Sequence, residues 1–352
     1  MFREYFKYYK SKWPIPDFKN VIDFRETKRR ESEKEVLISR VPLNKDYVNF
    51  GLPLGVQPIC NWQCYIVPKH PGLIMIRNAF TAQGQRYWMA RCLKDFPKHP
   101  NRVNLNESLF SRDAIEDWWS ALQQCCHKDD VKRLKNAMRW STMGYQHNWD
   151  TKMYSEQFHS NFPKDLAKMC NFFAQILGYK TFEAQAAIVN YYPIGSTLSG
   201  HTDHSEPNQE APLFSFSFGQ TAIFLIGGLT LQVKPTALFL ESGDILIMTC
   251  ESRLCYHAVP RIMKARDEPW NEYITSSPSD LLKQTADRRV HKDFAQVKCN
   301  GTEFVQCSMD LTLYERVCNE AFWLPYKNYL QDSRININVR QVLNGGEETL
   351  TQ

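Results

Sequence analysis

The sequence predicts an α+β protein, mainly β, with an antiparallel sandwich or jelly roll as its core and helices flanking it on the N-terminal side. Three observations predict it. Five short β-type runs follow one another, Ala187–Tyr192, Leu213–Phe218, Ala222–Ile226, Ala237–Leu240 and Ile245–Thr249, parted by Gly, Pro and Ser-Gly-Asp turns. Within Leu213–Phe218, Phe214, Phe216 and Phe218 alternate with Ser215 and Ser217, which makes one face greasy and the other small. The clearest helical periodicity lies before these runs and none lies between them, which argues against a βαβ sheet.

Taken in order, Phe2, Phe6, Tyr9 and Trp13 recur at helical spacing until Pro14 and Pro16 end the pattern. This is a helix docked on the main body, or else a partner-binding or targeting helix. Residues 25–35 mix both charge signs without an apolar period, as a solvated linker does, so residues 1–66 read as a helical extension and linker. Leu73–Ile76 is a short strand, and Thr81 starts a helix carrying Trp88, Cys92 and Phe96. A second helix carries Ile115, Trp119, Leu122 and Cys126, and a third Val131, Leu134 and Met138. Lys132, Arg133, Lys135 and Arg139 crowd that third helix as a solvated face or a phosphate-contacting patch. The helix from Pro163 to Leu177 puts Leu166, Met169, Cys170, Phe173 and Leu177 on one face, with Pro at its start and Gly178 at its end. Beyond the β runs, residues 262–333 read as an irregular polar insertion with a weak helix at Asp280–Arg289. One more strand, Arg334–Arg340, precedes a polar tail at 346–352.

Composition narrows the function classes. The 352 residues are 43% hydrophobic and 23% charged, which are globular proportions. No apolar run approaches the ~18 residues of a membrane span, so no membrane partner is expected. Lys and Arg exceed Asp and Glu by 43 to 38, a surplus too small to demand a nucleic-acid partner. Eleven cysteines without a Cys-x-x-Cys pair, and no secretory apolar segment, point to reduced thiols in an intracellular compartment. Residues 1–13 are basic and aromatic but poor in Ser, a faint likeness to a transit peptide. Nucleus, mitochondrion and cytoplasm all stay open.

The chemistry concentrates near residue 200. In an extended chain His201 and Asp203 project to the same side, about 6.6 Å apart, and offer one imidazole nitrogen and one carboxylate oxygen to a metal ion. His257, after Ile245–Thr249, supplies a third donor. Two imidazoles and one carboxylate form a facial triad with open positions for a bidentate co-substrate and dioxygen on Fe(II), whereas zinc would prefer a closed four-coordinate set. His204 would point to the opposite face. In Arg334–Arg340, period two puts Arg334, Asn336, Asn338 and Arg340 on one face and Ile335, Ile337 and Val339 on the other. The two arginines, about 20 Å apart along the strand, suit the carboxylates of a small diacid. The alternative is an edge strand with a wet face.

The ordered series Asn190-x-Tyr192, His201-x-Asp203, Gly243-Asp244, Glu251-Ser252-Arg253-Leu254-x-Tyr256-His257 and Arg334-x-Asn336-x3-Arg340 resembles the AlkB family, Fe(II)- and 2-oxoglutarate-dependent dioxygenases on a double-stranded β-helix. The resemblance covers roughly residues 70–345, and Tyr145-x-His147-Asn148-Trp149-Asp150 with Leu213–Gly219 is most similar to the AlkB homologue 1 branch. It implies a dioxygenase domain over 67–345 with a nucleotide-recognition lid at about 138–160 and the insertion 262–333. It implies His201, Asp203 and His257 as iron ligands and catalytic centre, with dioxygen as oxidant. Asn190, Tyr192, Arg334, Asn336 and Arg340 are the implied contacts to 2-oxoglutarate.

The implied reaction is demethylation of nucleobases in tRNA or DNA, 1-methyladenine and N6-methyladenine, with oxidation of 5-methylcytosine in tRNA alongside. Trp140, Tyr145, Gln146 and His147 fall where the family's lid lies and are the implied substrate contacts, though Trp140 and Trp149 also fit a core. Two departures weaken a role in broad alkylation repair: Ser205 stands where several members carry Asp, and Thr236-Ala237 lacks an Arg that some relatives have. Other readings are a protein-directed 2-oxoglutarate oxygenase, or a nucleic-acid-binding protein with abasic-site lyase activity, for which no Lys is singled out. The chain is expected to be a monomer.

Overall fold

The computed structural model describes residues 1–26, 39–40, 43, 52–272, 274, 296–299, 302–305 and 308–350. Its first strands are β1 (Val21–Ile22), β2 (Ser39–Arg40), β3 (Gln63–Ile66), β4 (Leu73–Arg77), β5 (Arg102–Val103) and β6 (Trp140–Gly144). Then come β7 (Ala186–Pro193), β8 (Leu198–His201), β9 (Leu213–Gly219), β10 (Thr221–Ile226) and β11 (Thr236–Leu240). The last are β12 (Ile245–Met248), β13 (His257–Met263), β14 (Gln296–Cys299), β15 (Thr302–Val305) and β16 (Ser333–Arg340). A nine-stranded sheet runs β2-β3-β4-β12-β9-β16-β7-β6-β5 and faces a five-stranded sheet, β1-β11-β10-β13-β8, while β14 and β15 pair with each other. This is the expected jelly roll, α+β and mainly β.

The period of two decides what each face meets. Phe214, Phe216 and Phe218 of β9 join Ile335, Ile337 and Val339 of β16 in the largest core. That core is closed by helices α1 to α8 in part only: α1 (Phe2–Lys10) lies elsewhere, and the covering layer comes from α2 (Ala82–Ala90), α3 (Arg112–Glu116), α4 (Trp118–Gln124), α5 (Lys128–Ala137), α6 (Lys164–Ile176), α7 (Leu311–Arg316) and α8 (Glu320–Leu330). Between the sheets Leu213, Leu246 and Met248 meet Ala222, Phe224 and Leu240. The outer face of the smaller sheet is covered by α1, where Phe2 and Tyr9 pack on Ile223, Leu225 and Ala258. The N-terminal helix is thus docked on the body, one of the two expected arrangements.

Several expectations are corrected. The boundary placed between residues 66 and 67 falls inside the larger sheet, because β3 pairs antiparallel with β4, and β1 pairs with β11 of the smaller sheet. The second predicted helix is two, α3 and α4, because Asp117 leaves helical geometry and its side chain caps Ser120 N. Residues 262–333 are not uniformly irregular. Asp310 and Asn319 cap α7 and α8, which bury Leu313, Tyr314, Trp323, Tyr326 and Tyr329. The weak helix at Asp280–Arg289 and most of the charged linker lie outside the described residues. In the basic cluster, Lys135 pairs with Asp332, and Arg133 donates to the Leu109 carbonyl, so two of its four charges serve the fold. The Arg334–Arg340 strand is no edge; β16 lies between β9 and β7.

Candidate active site

Two strands that escape the sequence pattern, β8 and β13, carry the candidate metal ligands. They pair antiparallel with His201 opposite His257, and Asp203 follows β8 by two residues. The imidazole centroids stand 4.3 Å apart. His201 Nε2 lies 4.0 Å from Asp203 Oδ1, and His257 Nε2 lies 3.7 Å from Asp203 Oδ2. Donor atoms of all three lie within 4.8 Å of one another, close enough to share one ion. Backbone carbonyls orient the rings: His201 Nδ1 is 2.9 Å from Ser199 O, and His257 Nδ1 is 3.1 Å from Cys255 O. With Nδ1–H so engaged, Nε2 keeps its lone pair for a metal. Burial, reinforced by His201, depresses the His257 pKa to about 4, so the ring is neutral at physiological pH.

Burial by itself would raise the Asp203 pKa, but Arg340, His257, His201 and Arg253 outweigh it and hold the carboxylate well below its ordinary range. His204 takes no part; it is exposed and its Nδ1 meets Thr202 Oγ1.

Strand β16 brings the second set. Arg334 is 1% exposed; its Nη2 donates to Ser217 Oγ at 3.0 Å, while Nε and Nη1 are buried without partners. Burial lowers its pKa to about 10, so it stays a cation at neutral pH. Asn336 Nδ2 donates to Ser215 Oγ and to the Phe216 carbonyl, each at 2.9 Å. The small face of β9 is therefore the floor of this pocket. Asn190 and Tyr192 stand across β7, in register with Asn336 and Arg334. Orphaned guanidinium donors beside a three-donor metal cluster suit a carboxylate-bearing chelate.

The profile of the 2OG-Fe(II) oxygenase superfamily matches residues 72–340. The chain belongs to that superfamily. Within it the oxygenase falls in the AlkB family, on the ALKBH1 branch. It is 35% identical to the Mus musculus protein named "Nucleic acid dioxygenase ALKBH1", over 99% of this chain and 85% of the relative. It is 28% identical to the Arabidopsis thaliana "DNA N(6)-methyladenine demethylase ALKBH1A", over 85% and 84% of the two chains. The Schizosaccharomyces pombe "tRNA demethylase abh1" is 35% identical over 55% of this chain and 70% of its own. The oxygenase is a 2-oxoglutarate-dependent dioxygenase, using Fe(II), 2-oxoglutarate and dioxygen, and the residues above fit those groups.

Three residues that sequence reasoning left without a role complete the oxygenase's site. Glu206, 3% exposed, accepts from Tyr154 Oη at 2.9 Å and from Arg253 Nη2 at 2.8 Å. Arg253 Nη1 reaches the Asp203 carbonyl at 2.5 Å. Arg340 Nη2 donates to Asp203 Oδ2 at 3.0 Å, and its Nε lies 3.0 Å from Glu206 Oε1 but off the line of a hydrogen bond. Their signals were the place of Arg253 in the motif that ends at His257 and that of Glu206 three residues after Asp203; Tyr154, 52 residues from Glu206, had none.

The expected lid is β6 followed by a hairpin, closed by bridges Tyr145–His159 and Asn148–Met153. Trp140 is half-buried beside Asn190, and its ring is 5.4 Å from Trp149, which is 48% exposed. His147 stands edge-on to Trp149 at 4.7 Å, with Nδ1 buried and unpartnered. Burial lowers the His147 pKa, with Arg340 adding to the effect. Tyr145 is committed to the hairpin, its hydroxyl donating to Glu156 Oε1 at 2.7 Å. Gln146 is buried, and its backbone N–H donates to the Phe158 carbonyl.

Proposed function

We propose that this oxygenase removes methyl groups oxidatively from nucleobases in nucleic acid, acting on N6-methyladenine in DNA and 1-methyladenine in tRNA and also oxidising 5-methylcytosine in tRNA. The observation that carries it is the aromatic hairpin of Trp140, His147 and Trp149, whose His147 lies near enough to Asp203 and Arg340 for their charges to act on its ring. The names of the mouse, plant and yeast relatives support it. Exposed and half-buried indoles offer stacking faces to a base taken out of its helix, worth about 1–3 kcal/mol per base.

Bound iron with 2-oxoglutarate and dioxygen supplies the oxidation of a C–H bond beside nitrogen, which no side chain performs. The chain's own work is positioning. His201, Asp203 and His257 would hold the iron on one side and leave the other open. Arg334 would fork one carboxylate of 2-oxoglutarate, while Asn336, Asn190 and Tyr192 line its body. Arg340 and Arg253 fix Asp203 from its side chain and its carbonyl. Trp140 and Trp149 stack the base, and the unpartnered His147 Nδ1 meets its polar edge. On a nitrogen the hydroxylated methyl group would leave as formaldehyde with the nitrogen keeping the proton, whereas on C5 of cytosine it would stay attached as an oxidised group.

A reducing intracellular compartment is the reading favoured by eleven cysteines that form no Cys-x-x-Cys pair. The test is to incubate iron-loaded protein with defined methylated tRNA and DNA and to weigh the nucleosides after digestion. Loss of the methyl mark, dependent on 2-oxoglutarate, is the expected result. Unchanged nucleosides across all the substrates, with 2-oxoglutarate still consumed in the presence of a peptide, would move the substrate class to protein.

A further inference from the structure

The residue before each histidine ligand, Gly200 within β8 and Tyr256 just ahead of β13, lies against α1. Gly200 precedes His201, and Tyr256 precedes His257. In an extended chain neighbours point to opposite faces, so whatever presses on these two residues from outside acts on the backbone that aims both imidazoles inward. What presses there is Phe2.

Its ring is 1% exposed and closes on Gly200, on Gly227 and on Tyr256. A Cβ at Gly200 would stand 2.9 Å from Phe2 Cε1, and one at Gly227 would stand 2.8 Å from Phe2 Cδ2. Only glycine admits the ring at these distances. Gly227 is itself tied to the metal strand, because its N–H donates to the Tyr256 carbonyl at 2.8 Å. The Tyr256 ring centroid lies 6.4 Å from that of Phe2.

The helix carrying Phe2 is anchored at both ends. Phe2 N donates to the Leu231 carbonyl at 3.0 Å, and Arg261 of β13 donates to the Tyr9 carbonyl at 2.7 Å and to the Ser11 carbonyl. A cation at those last carbonyls also opposes the negative end of the helix dipole. The helix thus spans the strand pair that holds the two ligands and is pinned to one of them.

We propose that Phe2 is a positioning residue for the iron site: its ring is the outer stop that sets the backbone of Gly200–His201 and Tyr256–His257, and so the spacing of the two imidazoles. It touches neither the metal nor any substrate. Partners that orient metal ligands are worth roughly 10–100-fold in metal affinity when lost, and a packing stop at the backbone belongs at the lower end of that range.

The test uses full-length protein and Mn(II) alone, with no nucleic acid present, so it stands or falls apart from the choice of substrate. Mn(II) dissociation constants and thermal midpoints are measured for wild type, Phe2→Ala, Phe2→Leu and Tyr9→Ala. Tyr9 is 2% exposed on the same helix, but does not lie over the glycines. Phe2→Ala is expected to weaken Mn(II) about tenfold, and Phe2→Leu to recover most of that loss. Tyr9→Ala should lower the thermal midpoint by a comparable amount and leave Mn(II) affinity within about twofold. Equal weakening by Phe2→Ala and Tyr9→Ala would mean that the helix only stabilises the fold, and would overturn the proposal. So would wild-type Mn(II) binding by Phe2→Ala. If Phe2→Ala does not fold, Phe2→Leu decides: weakening of a few-fold without a matching change in Tyr9→Ala supports the stop, and wild-type affinity refutes it.

Discussion

The two ends of β16 carry the same side chain and treat it in opposite ways. Among the described residues Arg334 has one hydrogen-bond partner, the Ser217 hydroxyl, and two buried donor atoms with none. Its burial depresses the pKa to about 10. Arg340 is also buried, and burial would lower its pKa too, but Asp203, Tyr154 and Glu206 outweigh this and raise it above the ordinary arginine value. One guanidinium keeps two nitrogens without a partner among the described residues; the other lies within 3.0 Å of two carboxylates of the protein. The strand pattern alone treats them as a matched clamp on a diacid. Their contacts differ, and the roles proposed on that difference are a co-substrate anchor at Arg334 and, at Arg340, a brace for Asp203 beside the contact to 2-oxoglutarate that the family resemblance implies.

The largest effect expected from that division is at the point where Arg340 ends. Asp203→Ala removes a metal donor and also takes from Arg340 one of its two nearby carboxylates, so succinate formation from 2-oxoglutarate should fall to background. Succinate release that persists and still requires iron would remove Asp203 from the metal site. Next is Arg334→Met, which keeps the apolar stem and deletes the fork. The requirement for 2-oxoglutarate should rise at least about a hundredfold with Mn(II) affinity unchanged, since truncating one partner of a buried charged pair costs about 2–5 kcal/mol. A parallel loss of Mn(II) binding would erase the distinction between the two ends. Glu206→Gln probes the other end more gently. With its charge gone, Arg340 and Arg253 lean on Asp203 alone, and Mn(II) affinity should fall about tenfold. The variant would break the comparison by altering only the 2-oxoglutarate requirement.

Much of this was legible in the sequence, for identifiable reasons. The five β runs are short, mostly apolar and bounded by turn residues, and each lies within a residue or two of an observed strand. The ligand triplet and the Arg334–Arg340 face were visible because strand periodicity fixes which side chains share a side. β8 was not visible, since Leu198-Ser199-Gly200-His201 has no apolar period and is half-exposed. α7 and α8 were hidden at the end of a polar stretch, and α8 carries Pro325, which interrupts helical hydrogen bonding. Glu206, Tyr154 and Arg253 acquire meaning only through contacts 47 and 52 residues apart in the chain. No local pattern encodes such a contact.

The alternation of Phe and Ser in β9 held information at both levels, and it supplies the smallest and sharpest test. Its aromatic face builds the core, while its serines meet β16, Ser215 beneath Asn336 and Ser217 beneath Arg334. Ser217 is fully buried and is the one hydrogen-bond partner described for the Arg334 guanidinium. Ser217→Ala leaves Nη2 of a buried cation without an acceptor, which costs about 1–3 kcal/mol of stability. An incoming carboxylate can satisfy Nη2 as well as the two donors already free, so part of that loss should return on binding. The expected signature is therefore a lower thermal midpoint that 2-oxoglutarate with Mn(II) raises by more than it raises the wild type. The co-substrate requirement itself should change only a few-fold, because the lost hydroxyl aims the fork without replacing it. A midpoint that 2-oxoglutarate raises no more than in wild type would mean that the ligand does not reach Nη2, and that the anchor is formed by the Nε and Nη1 side of Arg334 alone.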